Sequence, residues 1–496
     1  MNLTTDPWIP ALCADGHREL FSLQALFAQA HKLRDLAAKP HERVALMRLL
    51  LCITQAALDG PADEAEWETC EPLIQTRVRD YLAKYKPAFE LFGESSRFLQ
   101  LNQLSPIEES DDGNASTKLD LSLATGNNST VFDNSAGEER SLQPSRLAVS
   151  LVTFQCFSPG GRIGVAKWSG KETPGKGSSN HGPCTPSSML HTFMLGDNLR
   201  SSIHRNLLTK ESVMGVSGPD RWGKPVWEFP VQDSGNRTAV ENATLTYLGR
   251  LAPLCRAIHL HTGGRSLILA NGLDYPVFPI FREATATIIK RKDQLALLPA
   301  STARSVWRQL AAISIKRRIG ADQTCGPLAL SHVSDPAETR LWIGALITDK
   351  AKIEDVVEST YWIPAAMLTE LGHAAYEHGV AYADEWEGAL IQAVKAYAVA
   401  LKIGTPPYDR ARQRFWTHVE QNLTALFAIA ANHDLIARLP KTDWGQAVAD
   451  SASDAYQSCC PRQSPRQIHA YVLGLRKLIY RPKTNADAET VSKAHE

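Results

Sequence analysis

The sequence predicts an α+β fold: a large mixed N-terminal domain over residues 1–360, a C-terminal four-helix bundle over 361–482, and a flexible tail over 483–496. Three observations predict it. Short apolar runs with strand-like alternation are interleaved with helical patterns through the first two-thirds of the chain. After Trp362-Ile363-Pro364 the apolar residues recur at helical spacing almost to Tyr480. The composition, 44% hydrophobic and 21% charged over 496 residues, is that of a chain able to bury a sizeable core.

Residues 8–12 (Trp-Ile-Pro-Ala-Leu) and 19–21 (Glu-Leu-Phe) read as two short strands, reversed at Asp15-Gly16. Ser22 has the chemistry of an N-cap for a helix starting near Leu23. A second helix is expected over 41–58, carrying Val44, Leu46, Met47, Leu50 and Leu51 and stopping at Gly60-Pro61; a third covers 71–84. Between 105 and 145 the character changes. Glu108-Glu109-Ser110-Asp111-Asp112 is a solvated acidic loop, and Gly126-Asn127-Asn128-Ser129 and Asn134-Ser135-Ala136-Gly137 are turn-rich. An apolar piece over 148–157 leads into Pro159-Gly160-Gly161-Arg162-Ile163-Gly164, and 170–188 is rich in Gly, Ser and Pro. Loops this long inside a folded domain serve function or lack order.

Residues 247–298 are β-rich, with strands expected at 257–260, 266–269 and 284–289; a helical pattern returns over 302–315. The C-terminal helices are expected over 365–382, 386–401, 407–431 and 464–480, with a shorter piece at 444–458. Gly404-Thr405-Pro406-Pro407 and Cys460-Pro461 break them.

Lys+Arg and Asp+Glu each number 53, so net charge says nothing about an anionic partner. Nine scattered cysteines and no signal peptide read as reduced thiols of a cytoplasmic protein. No apolar run reaches the ~18 residues of a membrane helix, so no membrane partner is expected. No G-x-x-x-x-G-K-[ST] phosphate loop, H-E-x-x-H zinc helix or G-x-S-x-G elbow is present, and the 159–164 glycines lack dinucleotide spacing. No catalytic residue, cofactor or enzyme activity is therefore expected. For metal, no C-x-x-C pair exists, and Cys459-Cys460 has the wrong spacing. His259-x-His261 offers two donors on one strand face, too few for a structural site; no zinc is expected. Asp384 and Glu385 read as dipole partners at the start of a helix beginning near Trp386.

Basic clustering is the stronger signal. Lys290-Arg291-Lys292, then Lys316-Arg317-Arg318 after Arg304 and Arg308, and Arg462, Arg466, Arg476, Lys477, Arg481 and Lys483 around the last helix concentrate positive charge. Each cluster is either a phosphate-binding surface or an ordinary solvated face.

The opening Asn2-Leu3-Thr4-Thr5-Asp6-Pro7-Trp8-Ile9-Pro10 resembles the N-L-x-x-D-x-W-I-P start of the CasA family, the large subunit of the type I-E CRISPR surveillance complex, Cascade. Further motifs follow in family order. Phe89-Glu90-Leu91-Phe92 with Arg97-Phe98-Leu99-Gln100 resembles an F-x-L-F and P-F-x-Q element, Arg97 standing where proline is usual. Gly196-Asp197-Asn198-Leu199-Arg200-Ser201-Ser202 with Asn206-Leu207-Leu208-Thr209 is similar to another signature, as are Pro225-Val226-Trp227-Glu228 and, more loosely, Thr246-Tyr247-Leu248 with Arg256. The resemblance spans essentially the whole chain.

It implies a non-catalytic subunit that binds double-stranded target DNA and reads the short PAM through the minor groove. It also implies help in opening the duplex for pairing with the CRISPR guide RNA, with other Cascade subunits and a helicase-nuclease as partners. A DNA-facing loop corresponds to Phe132, Asp133 and Asn134, and a glycine loop to Gly160, Gly161 and Gly164. A minor-groove cation corresponds to Arg265, and a strand-separating wedge to Asp349, Lys350 and Ala351. Lys350 stands where the family has glutamine, and Asp133 replaces an apolar residue. The glycine loop, Asn134 and Arg265 are expected to meet at one groove, with Arg462, Arg466, Arg476 and Lys477 as accessory phosphate contacts. The alternatives are a helical adaptor without direct DNA contact and an uncharacterised hydrolase.

Overall fold

A computed structural model describes residues 1–108, 113–124, 130, 132–133, 141–158, 163–173, 182–186, 188–276, 283–292, 294–316, 324–332, 339–349 and 352–479. The chain divides into two compact units, the first ending at Trp362 and the second starting at Ile363.

The first unit opens with strands β1 (Ile9–Cys13) and β2 (Arg18–Phe21), helix α1 (Leu23–Gln29) and strand β3 (Leu33–Leu36), β1 lying between the other two. Ser22 caps α1 as its chemistry suggests, its hydroxyl accepting from the Ala25 N–H at 3.2 Å. Trp8 is fully buried, and its indole N–H donates to the Leu3 carbonyl at 3.0 Å. The core is built on helix α2 (Pro40–Leu58), with helix α3 (Ile74–Lys84) and helix α4 (Pro144–Phe157) packed against it. α2 is hydrophobic on all sides because it is central, buried from Pro40 through Gln55. Both α2 and α4 begin with proline at the first turn, where a missing N–H costs nothing and φ is already helical.

Strand β4 (His191–Leu195) is wholly buried. Strands β5 (Ala257–Leu260) and β6 (Ser266–Ala270) pair antiparallel in the register Leu267–Leu260 to Ala270–Ala257. Strands β7 (Thr339–Asp349) and β8 (Lys352–Ile363) form a long hairpin, with β7 between β8 and β4.

In the second unit, helix α5 (Glu370–Leu401) is the centre, surrounded by α6 (Tyr408–Glu420), α7 (Leu423–Ala431), α8 (Asp443–Cys459) and α9 (Pro465–Ile479). Tyr376, Leu390, Val394, Phe415, Leu426, Trp444, Val448 and Tyr456 fill its core. α9 meets α5 and α8 at Gly474, where a Cβ would stand 2.0 Å from the Tyr456 hydroxyl and 2.6 Å from the Ala393 carbonyl.

Four expectations are corrected here. The helices over 365–382 and 386–401 are one 32-residue helix, α5, because Ala383-Asp384-Glu385 contains no breaker. Asp384 and Glu385 are accordingly interior to a helix rather than at its start. The 407–431 helix is two, parted at Gln421-Asn422, where the Asn422 amide donates to the His418 carbonyl at 2.9 Å and competes with the backbone ladder. The strand expected at 284–289 lies later, at Ile288–Arg291, paired with Gln294–Leu297. The helix over 302–315 shrinks to Val306–Gln309 and Leu310–Ile313.

Candidate nucleic-acid interface

Helix α4 organises the first unit's candidate residues. Near its start, Arg146 bridges two carboxylates, Glu42 at 2.6 Å and Asp120 at 2.7 Å. Burial alone would raise the Asp120 carboxyl. The Arg146 charge, the Ser122 N–H and Lys39 outweigh it and hold Asp120 below its ordinary value. This ion cluster fixes the Ser116–Ser122 segment against the first turns of α2 and α4.

The described part of the loop beyond it is Thr130, Phe132 and Asp133. Thr130 donates to the Ser122 carbonyl at 2.8 Å, and its hydroxyl accepts from the Phe132 and Asp133 N–H groups at 3.2 and 3.1 Å. The Asp133 carboxylate accepts from the Ala124 N–H at 2.9 Å, so it staples the loop. Phe132 stays 39% exposed while its ring lies 5.6 Å from His41 and 5.3 Å from the Lys39 ammonium. His41 is fully buried with neither ring nitrogen hydrogen-bonded, and burial pulls it down to about 4. The ring against Phe132 is thus neutral at ordinary pH, and Lys39 supplies the positive charge there.

Arg265 shares this end of α4. Gly264, at φ +69°, brings the β5–β6 turn onto Leu147, the fourth residue of α4. The Arg265 carbonyl accepts from the Ser116 N–H at 3.0 Å, and its side chain is exposed.

The other end of α4 carries a different set. Gln155 donates to the Leu99 and Arg256 carbonyls, each at 3.0 Å, and accepts from the Arg256 N–H at 2.9 Å, tying this end to the start of β5. Gly164 follows α4 and bridges Ala270, the last residue of β6. A Cβ on Gly164 would meet only the Leu269 carbonyl, at 3.8 Å. The hairpin β7–β8 reaches past the same end. Trp342 packs under the Arg43 guanidinium at 4.9 Å, Gly344 pairs with His191, whose ring meets Phe157 at 6.0 Å, and Thr348 donates to the Ser188 hydroxyl at 3.2 Å. Asp349, exposed, is the last described residue before the turn. Asn134, Gly160, Gly161, Lys350 and Ala351 lie outside the described residues, as do Arg317, Arg318, Arg481, Lys483 and the tail.

The described residues therefore do not meet at one point. Phe132 and Arg265 stand at the first turns of α4; Gly164 stands at its far end, and β7 passes that end at Gly344 before reaching Asp349. Arg265 precedes β6 and Gly164 bridges Ala270 at its end, five residues further on, which is about 17 Å of separation. The hairpin β5–β6 runs alongside α4, so successive loops emerge at opposite ends.

In the second unit, Arg462, Arg466, Arg476 and Lys477 are all exposed, and none pairs with a carboxylate among the described residues. Arg462 lies over the Tyr471 ring at 5.2 Å. Among the described residues, no helix is long and apolar enough to cross a membrane. His259 of the His-x-His pair is bound to the Leu101 carbonyl at 2.9 Å, and burial lowers its affinity for a proton.

Sequence reasoning missed the support for the Phe132 loop. Lys39-Pro40-His41-Glu42, a helix start with proline at the first turn, was the available signal. It also missed that Cys255 has a thiol neighbour. The Cys184 thiol donates to the Gly182 carbonyl at 3.6 Å, and the nearby Cys255 thiol draws it down against its burial, with help from Arg256 and Arg250.

A family model described as CRISPR-associated protein Cse1 matches residues 2–455. A Thermus thermophilus protein, CRISPR-associated protein CasA/Cse1, is 27% identical over 412 residues, covering 77% of this chain and 75% of its own length. The fold is similar to the crystal structure of Thermobifida fusca Cse1, with a TM-score of 0.77 at 20% identity over 97% of this chain and 96% of that one. It is similar too to Thermus thermophilus CasA (Cse1), TM-score 0.73 at 20% identity over 96% and 99%. A chain in a structure described as a CRISPR RNA-guided surveillance complex gives 0.72 at 18% identity over 97% and 99%.

Proposed function

This chain belongs to the CRISPR-associated protein Cse1 family, and from that premise we propose that it is the non-catalytic, PAM-reading subunit of an RNA-guided surveillance complex. The observation that carries the reading is the distribution of exposed groups along α4. A ring and cations (Phe132, Lys39, Arg265) stand at one end, and an open backbone glycine (Gly164) and the passing β7–β8 hairpin at the other. A separation of about 17 Å is about half a helical turn of B-DNA, about 34 Å. One duplex laid along α4 would meet both ends at once. The Phe132 end suits phosphate and base-edge contact. At Gly164 a groove can approach the backbone without a side chain in between. Minor-groove reading is degenerate, so several related PAMs would pass, and guide pairing would carry the remaining specificity. The β7–β8 hairpin would act as the wedge, with Asp349, Lys350 and Ala351 at its tip. Other complex subunits, guide RNA and a helicase-nuclease are the partners this role requires, and the cytoplasm is the location it implies.

The test uses the assembled complex on matched duplexes with and without PAM, at fixed salt. Gly164→Val, Asn134→Ala and Arg265→Ala each should reduce the PAM preference, by about 1–3 kcal/mol at the affected position, while guide-RNA content is retained. A wild-type PAM ratio in all three would remove these residues from PAM reading and favour an adaptor role without direct DNA contact.

A further inference from the structure

The turn joining β1 to β2 carries Cys13, Asp15 and His17, and the ligand atoms of these side chains all lie within 4.8 Å of one another. Among the described residues this is the one group of three such donors gathered so closely. We propose that this turn binds a borderline divalent transition cation of the zinc type, through the Cys13 thiolate, the Asp15 carboxylate and the His17 imidazole, with water in the fourth position.

The backbone shapes the cluster before any ion arrives. Cys13 N–H donates to the His17 carbonyl at 2.9 Å and Gly16 N–H to the Cys13 carbonyl at 3.0 Å, closing a tight loop whose reversal is made at Gly16, φ +92°. The turn thereby draws residues 13, 15 and 17 together instead of spacing them along an extended strand. His17 Nδ1 lies 2.5 Å from an Asp15 oxygen and its Nε2 3.5 Å from Glu19. The ring thus has a carboxylate at each nitrogen: one to share the cation, the other to orient the imidazole from behind, as metal-bound histidines require. Tetrahedral zinc takes sulfur at about 2.3 Å and nitrogen or oxygen at about 2.0–2.2 Å. Its ligand atoms then stand roughly 3.3–3.8 Å apart, so the widest pair has to close by about 1 Å and His17 Nδ1 has to draw away from Asp15 by about the same. Asp15 and His17 are exposed and Cys13 is half-buried, leaving the side chains free to make that adjustment. One sulfur, one nitrogen and one oxygen donor select zinc, cobalt or nickel over magnesium and calcium, which take oxygen ligands. An open fourth position on a surface turn gives an accessible site, and the ion would tie the ends of β1 and β2 together.

The experiment titrates untagged, metal-stripped full-length chain, kept reduced with a non-chelating phosphine, with Zn²⁺ by calorimetry and with Co²⁺ by absorption. The expected result is one ion per chain, a sulfur-to-cobalt charge-transfer band, and excess Mg²⁺ failing to compete. Cys13→Ser should abolish the band, and Cys13→Ser or His17→Ala should weaken Zn²⁺ binding at least tenfold with the circular dichroism unchanged. His31→Ala, an exposed histidine elsewhere, should leave both readings as they are. No saturable binding, or binding that survives the Cys13→Ser/His17→Ala double variant, overturns the proposal, as does cobalt bound without the sulfur band.

Discussion

In the first unit, Arg48, Arg250, Arg43 and Arg146 lie against carboxylates. Arg48 and Arg250 share the buried Glu283, Arg43 holds Asp35 at 2.6 Å, and Arg146 holds Glu42 and Asp120. In the last helix of the second unit and its approach, Arg462, Arg466 and Arg476 stand in solvent with no such acid among the described residues. The residue type is the same, yet the roles diverge. The first set neutralises charges the core has swallowed; the second set keeps its full field for an outside anion. Net charge counts the two kinds alike, which is why it says nothing about an anionic partner.

Glu283→Gln tests the first half of that contrast most severely. It removes the buried carboxylate that Arg48 and Arg250, each about 2% exposed or less, share. Unfolding by urea should show a loss of about 3–5 kcal/mol, against little change in a control at exposed Arg466. A loss below about 1 kcal/mol would mean that water reaches the cluster and the distinction between the two arginine sets fails.

A smaller effect, with a pH signature, is expected at Arg146. Asp120 and Glu283 are both held below their ordinary carboxylate values despite burial. Groups depressed on folding contribute stability that is present above the unfolded pKa and lost as pH falls through the folded one. Native stability should therefore decline as pH drops below about 4. Arg146→Ala should cost about 1.5–3 kcal/mol at neutral pH, and the acid decline should become shallower, because Asp120 no longer gains from being charged. A variant whose stability-against-pH curve runs parallel to wild type would assign the depression of Asp120 to its backbone contact instead.

The smallest stability effect belongs to the exposed set. Replacing Arg462, Arg466, Arg476 and Lys477 with glutamine should leave unfolding free energy within about 0.5 kcal/mol. In the assembled complex, the log-log salt dependence of DNA binding should flatten by about 0.9 for each phosphate the variant no longer neutralises, equally on all sequences. An unchanged slope would make this helix an ordinary solvated face, and the two arginine sets would then differ in burial alone.

Much of the fold was legible in the chain. The Ser22 cap, the helix ending at Gly60-Pro61, the pair of strands at 257–260 and 266–269 and the helical C-terminal third all rest on local rules: side-chain capping, breakers and periodicity. Where expectation and structure part, a local rule met a stronger neighbour. Asp384-Glu385 looks like a helix start only until α5 is seen to run through it on an unbroken ladder, and Asn422 breaks a helix with neither glycine nor proline.

The candidate site was legible only as a set of loops. The exposed ring at Phe132 and the glycine at 164 can be read as types, but not their separation, because that depends on which end of α4 each loop leaves from. Local chemistry by itself determined the elements, the mixed-then-helical order and the loops that bear the candidate residues. Tertiary structure alone decided which cations are spent on buried acids, that Cys184 lies against Cys255, and that Cys13, Asp15 and His17 converge. The reason is physical: capping and periodicity act within a few residues, whereas pairing of a charge or a thiol is set by whatever the packed core brings within about 4 Å.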